Sequence, residues 1–158
     1  MKREQSKREV QAVVDKWQPL LGLSKWKIDV FVVGGPEMSR ATGCDFALAY
    51  CNPNAFSQSA AIFIHAGVKW VIGDLEKYES LQVTALHELL HVSMHSTGVQ
   101  QGLETLAAIP GGREYANMAW DSLHPLCEIF ALAMLKGAVV DSDDDKILLG
   151  HEYPVLGL

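Results

Sequence analysis

The sequence predicts an α+β fold: a small three-stranded, mainly antiparallel sheet packed with an N-terminal helix, a central helix and a C-terminal helix. Two observations carry that expectation. Apolar residues recur every three or four positions near both ends and in the middle of the chain, the helical period, whereas shorter runs before and after residue 50 alternate or are β-branched. With 158 residues, 49% hydrophobic and 20% charged, there is material for one core, so residues 1–158 read as a single domain. Its core covers about residues 3–136, and 137–158 form a polar, Gly- and Pro-punctuated tail.

From about Arg3 to Leu20, Val10, Val13, Val14 and Trp17 stand at helical spacing among charged residues, and Gly22 supplies a stop. The run Trp26 to Val33 alternates and then meets Gly34-Gly35-Pro36, which reads as a strand closed by a turn. Thr42 to Cys51 and Ala60 to Ala66 read as two further strands separated by the turn signal Asn52-Pro53-Asn54. A long helical pattern runs from Leu75 to about His95, with Asp74 or Ser80 available as N-cap and Val83, Leu86, Leu90 and Met94 as its apolar stripe. Gln100 to Arg113 contains Ile109-Pro110-Gly111-Gly112 and reads as a loop. The last helix is strongest from Leu126 to Lys136, with Pro125 at its beginning or at a kink.

Charge narrows the function classes. A net −6 argues against phosphate-backbone binding, which needs clustered Lys and Arg, so no nucleic-acid partner is expected. The one basic cluster, Lys2, Arg3, Lys7 and Arg8, is interleaved with Glu4 and Glu9 and reads as a solvated helix face. The start MKREQSKREV is not followed by an apolar run, so the expectation is an intracellular, cytoplasmic protein without a membrane partner. Cys44, Cys51 and Cys127 lack CxxC spacing and read as reduced thiols with a packing role.

The chemistry is concentrated in His87-Glu88-Leu89-Leu90-His91. Two histidines four apart on a helix share one face, the geometry for gripping one Zn²⁺ from one side, and Glu88 between them can take a proton from a metal-activated water. A zinc site of this kind needs a third protein ligand. Positions 94 and 97 hold Met94 and Thr97 where a metzincin would have Gly and His. His95 lies about 12 Å along the axis from His87, too far to join on a straight helix, and is read as lining a substrate cleft. Glu128, a carboxylate in the apolar tract Leu126 to Ala133, is the preferred third ligand because coordination would remove the cost of burying it. His124, one turn earlier, is the alternative ligand or an orienting partner. Tyr115, Tyr153 and His65 are candidate oxyanion or substrate contacts.

The run Leu23 to Val30, the short strands after it, the HELLH helix and a later helix bearing Glu128 together resemble the minimal gluzincin-like metallopeptidase domains of phages and prophages, and are similar to SprT-like and ImmA/IrrE-type zinc peptidases. HExxH is the specific motif in that resemblance; the rest is order and spacing. The resemblance implies a zincin-like fold, one Zn²⁺ per chain held by His87, His91 and Glu128, Glu88 as catalytic base, and hydrolysis of a protein or peptide substrate. It also implies that Ala60 to His65 is an edge strand pairing with extended substrate. The competing expectation is a zinc-stabilised binding or phage-associated module without catalysis.

Overall fold

The computed structural model describes residues 3–44, 47–68 and 80–139, except the side chains of Glu128 and residues 136–139. Among these residues the chain runs α1 (Arg3–Trp17), β1 (Lys27–Val33), α2 (Gly35–Thr42), β2 (Ala49–Asn54), β3 (Ser59–His65), α3 (Leu81–Ser96), α4 (Val99–Ala108) and α5 (Gly112–Val139). The α+β expectation holds with five helices and one three-stranded sheet. The tail beyond residue 139, with Tyr153, and the start of the long helical pattern at Leu75 lie outside the described residues.

The sheet order is β1-β3-β2, and this corrects two expectations. The sheet is mixed, because β3 runs parallel to β1 and antiparallel to β2. Strand β3 is therefore central, and β2 is an edge of the described sheet in its place. Alternation within a strand says which face is buried but nothing about which neighbour it pairs with or in which direction. The parallel pairing follows from the connection: α2 and β2 both intervene between β1 and β3, and parallel strands require such a crossover.

Two further boundaries move. The segment from Thr42 is the end of α2 followed by β2, and Asn52-Pro53-Asn54 belongs to β2, not to a turn. An edge strand tolerates Pro53 because only one of its sides must supply ladder hydrogen bonds. The turn falls after it, where Asn54 Oδ1 accepts from the Ser57 amide at 3.1 Å and Gln58 adopts φ 51°. Pro36 sits in the first turn of α2, where its missing N–H costs nothing. Read as a strand closer, it opens a helix instead.

The stretch Gln100 to Arg113, expected to be a loop, is mostly helical. Gly98 at φ 81° turns the chain out of α3, and Val99, Leu103, Leu106 and Ala107 then repeat at helical spacing to make α4, which packs on α5. Helix α5 starts at Gly112 and runs through Pro125. A proline inside a helix costs ~3 kcal/mol or more; packing of α5 against both α3 and α4 opposes that cost.

Helix α3 is the axis of the molecule. Ser80 caps it, accepting from the Val83 amide at 3.2 Å, a contact worth about 1 kcal/mol. Leu81, Val83, Ala85, Leu86, Leu89 and Val92 are fully buried, because α3 packs against α1 and the sheet on one side and against α4 and α5 on the other. The core joins these residues to Val10, Val14 and Trp17 of α1, Ile62 and Ile64 of β3, and Ala131 and Leu132 of α5. No helix among the described residues is long and apolar enough to cross a membrane.

Candidate metal centre

A helix turn of about 5.4 Å separates residues i and i+4 on one face, and α3 uses that geometry to bring the Nε2 atoms of His87 and His91 to 2.8 Å. The third imidazole comes from α5. His124 Nε2 lies 3.2 Å from His87 Nε2, and the ligand-capable atoms of all three histidines fall within 4.8 Å of one another. Three histidines thus lie close enough to bind one metal ion.

The donor set fits such an ion on two grounds. Tetrahedral Zn²⁺ with Zn–N near 2.0–2.1 Å places its nitrogen ligands about 3.3 Å apart, close to the separations seen. In addition, an imidazole Nε2 carries either one hydrogen or one lone pair, so His87 Nε2 cannot make good hydrogen bonds to both neighbours at once, whereas a cation meets all three lone pairs. Burial, then the proximity of His87, His124 and His95, lowers the pKa of His91 to about 3. It is therefore neutral, the state a ligand requires.

Around the triad is a cleft of about 320 Å³, walled by Ala49, Tyr50, Cys51 and Pro53 of β2, by Glu88, His91 and His95 of α3, by Gln100 of α4, and by Trp120 and His124 of α5. Glu88 is buried, with 8% of its surface exposed. Its carboxylate receives a hydrogen bond from the Cys51 thiol, whose pKa is raised by burial first and by the charge and hydrogen bond of Glu88 next. Cys51 thus remains protonated and donates. His95 is held below its usual pKa by burial, with Glu104 opposing.

The candidate residues divide clearly. His87, Glu88, His91, His124 and His95 all meet at the cleft, with His124 in the position of third imidazole and His95 on the wall, outside the triad. Glu128 lies on α5 one turn beyond His124, and its side chain is outside the described residues, as is Tyr153. Tyr115 is 65% exposed near the start of α5 and does not line the cleft. His65 ends β3, where its Nδ1 accepts from the Gly67 amide at 2.9 Å, and it too stands apart from the cleft wall.

Cys44 is exposed while Cys127 is buried, so the packing role expected of all three thiols fails for Cys44. No disulfide forms among the described residues. Sequence reasoning missed Cys51, Tyr50, Gln100 and Trp120 as cleft residues. Only Trp120 left a signal, since it stands four residues before His124 and so shares its helix face. Comparison with protein-family models, curated proteins and solved structures returned no match.

Proposed function

We propose that the protein is a zinc-dependent, zincin-like hydrolase of peptide bonds, with His87, His91 and His124 holding the ion and Glu88 as general base. The observation that supports this reading is the convergence of three imidazoles from two helices beside a buried carboxylate in one cleft. Three protein ligands and an open fourth position are the pattern of catalytic zinc sites. Bound there, Zn²⁺ would supply a water whose pKa is lowered to about 7 and a Lewis acid for the substrate carbonyl.

The chain's own residues supply the rest. Glu88 accepts the proton of the attacking water and delivers it to the leaving amine, and the Cys51 thiol holds its carboxylate from the side of β2. His95 and Gln100 offer N–H donors on the same cleft for a developing oxyanion. Strand β2, an edge among the described strands and a wall of the cleft, offers main-chain groups to an extended peptide.

Glu88→Gln tests the mechanism, because it keeps the side chain's size and removes its basicity. We expect zinc content by plasma mass spectrometry to stay near one per chain while hydrolysis of a peptide library falls roughly 10²–10⁴-fold. Undiminished hydrolysis in that variant refutes the role of Glu88. A zinc-loaded wild type that cleaves nothing would leave the second reading, a module in which the ion only ties α3 to α5.

A further inference from the structure

Trp120 does more in this site than close one wall of the cleft. Its ring lies 5.4 Å from that of His91 at an interplanar angle of 27°, and 5.1 Å from that of His124 at 23°. The His91 and His124 rings are themselves 5.1 Å apart at 22°. The three centroids thus form a nearly equilateral triangle of almost parallel, offset planes, the arrangement aromatic rings prefer. His87 stands out of this set, at 79° to His124 and 58° to His91.

An imidazole on a helix retains freedom about its terminal torsion, which is broad and two-fold. His91 and His124 come from different helices, so no backbone hydrogen-bond ladder sets the angle between their rings. Trp120 touches both. It reaches His124 from one turn away on α5 and His91 across the α3–α5 interface, and its larger plane restricts both rings together.

We propose that Trp120 is a positioning residue for the metal centre, an aromatic plate that sets the planes of two ligand imidazoles from different helices and so tightens metal binding. The proposal rests on reading the three histidines as metal ligands, and not on the hydrolytic step. The plate acts in two ways: it removes ring torsions before the ion arrives, and its π-face favours the positive charge that a bound ion confers on the rings.

The test uses the full chain as wild type, Trp120→Phe and Trp120→Leu, each stripped with chelator and titrated with zinc against a competing chelator. Cobalt loading and its visible ligand-field spectrum supply a second readout, and melting of the metal-free proteins a third. We expect Trp120→Leu to weaken zinc binding about 10–100-fold, the usual effect of losing a partner that orients a metal ligand. Trp120→Phe should recover most of the affinity, and the cobalt spectrum should change in the leucine variant while both metal-free variants remain folded. Equal affinity in wild type and Trp120→Leu overturns the proposal and leaves the metal site standing. Equal losses in the leucine and phenylalanine variants also overturn it, by making volume and not the aromatic plane the cause. If the leucine variant does not fold, Trp120→Met takes its place beside Trp120→Phe: a loss of affinity confined to the methionine variant upholds the plate, and equal affinity in the methionine variant and wild type overturns it. Absence of zinc binding in the wild type removes the metal reading and this proposal with it.

Discussion

Helices α3 and α5 form two clefts along their shared interface, and the two differ in almost every chemical respect. One holds His91, Glu88, Trp120 and His124. The other, about 170 Å³, is walled by Leu90, Met94, Val99, Leu123, Leu126 and Phe130, with Ser93, Thr97 and Cys127 between them. Leu90 is the neighbour of His91 and Leu123 of His124, so one residue, about 100° of helix rotation at 3.6 residues per turn, separates a histidine of the cluster from an apolar contact. The difference teaches that helical phase alone divides a histidine cluster close enough to bind a metal ion from apolar packing here. Substitutions on one side should leave the other side's readout largely intact.

The largest expected effect is on the polar side. His124→Ala should abolish stoichiometric zinc binding, a loss beyond the 10–100-fold typical of an outer partner, whereas Glu128→Ala should retain about one zinc per chain. Metal analysis of the two purified variants decides between them, and the opposite result would restore Glu128 as third ligand and leave His124 as its orienting neighbour.

Next is acidity. The folded pKa of His91 is lowered to about 3 from 6.5, so between those values the unfolded chain binds a proton that the metal-free fold refuses. The sign is therefore loss of stability as pH falls from about 6.5 towards 3, with no further contribution from this group below that range. Urea melts of the metal-free protein at successive pH values should show the fall, and His91→Gln should flatten it. An unchanged pH profile in that variant would assign the acid sensitivity elsewhere.

The smallest effect belongs to the apolar cleft. Leu123→Ala removes a half-buried side chain and should cost about 1–2 kcal/mol of stability with zinc affinity within a factor of two or so of wild type. A large loss of zinc affinity there would show that the two clefts are mechanically coupled, and that phase does not separate them.

Much of the site was legible because it obeys local periodicity. His87 and His91 share a helix face by spacing alone, Glu88 lies beside them, and Ser80 was one of two cap candidates, with Asp74. His124 was legible only as the alternative to Glu128, which its apolar tract made the preferred ligand; the two stand one turn apart on the same helix, and spacing within α5 favours neither. Cys51 left no signal: its contact with Glu88 depends on β2 lying over α3. The fold was legible to a similar depth. The helix at Arg3–Trp17 and the strands around Val30 and Ile62 follow their apolar periods, but Pro36 opens a helix and Pro53 sits inside an edge strand, because proline's meaning depends on whether its missing N–H was needed.

By itself, then, the sequence determined an α+β chain with HELLH on a helix, since periods of 3.6 and 2 are properties of neighbouring residues. Only the tertiary structure decided that β3 is central and parallel to β1, that α4 exists as a helix packed on α5, and that His124 and Trp120 face His91. Those outcomes depend on contacts between residues distant in the chain, which apolar spacing allows in several registers and only the packing of α3 between the sheet and α5 resolves.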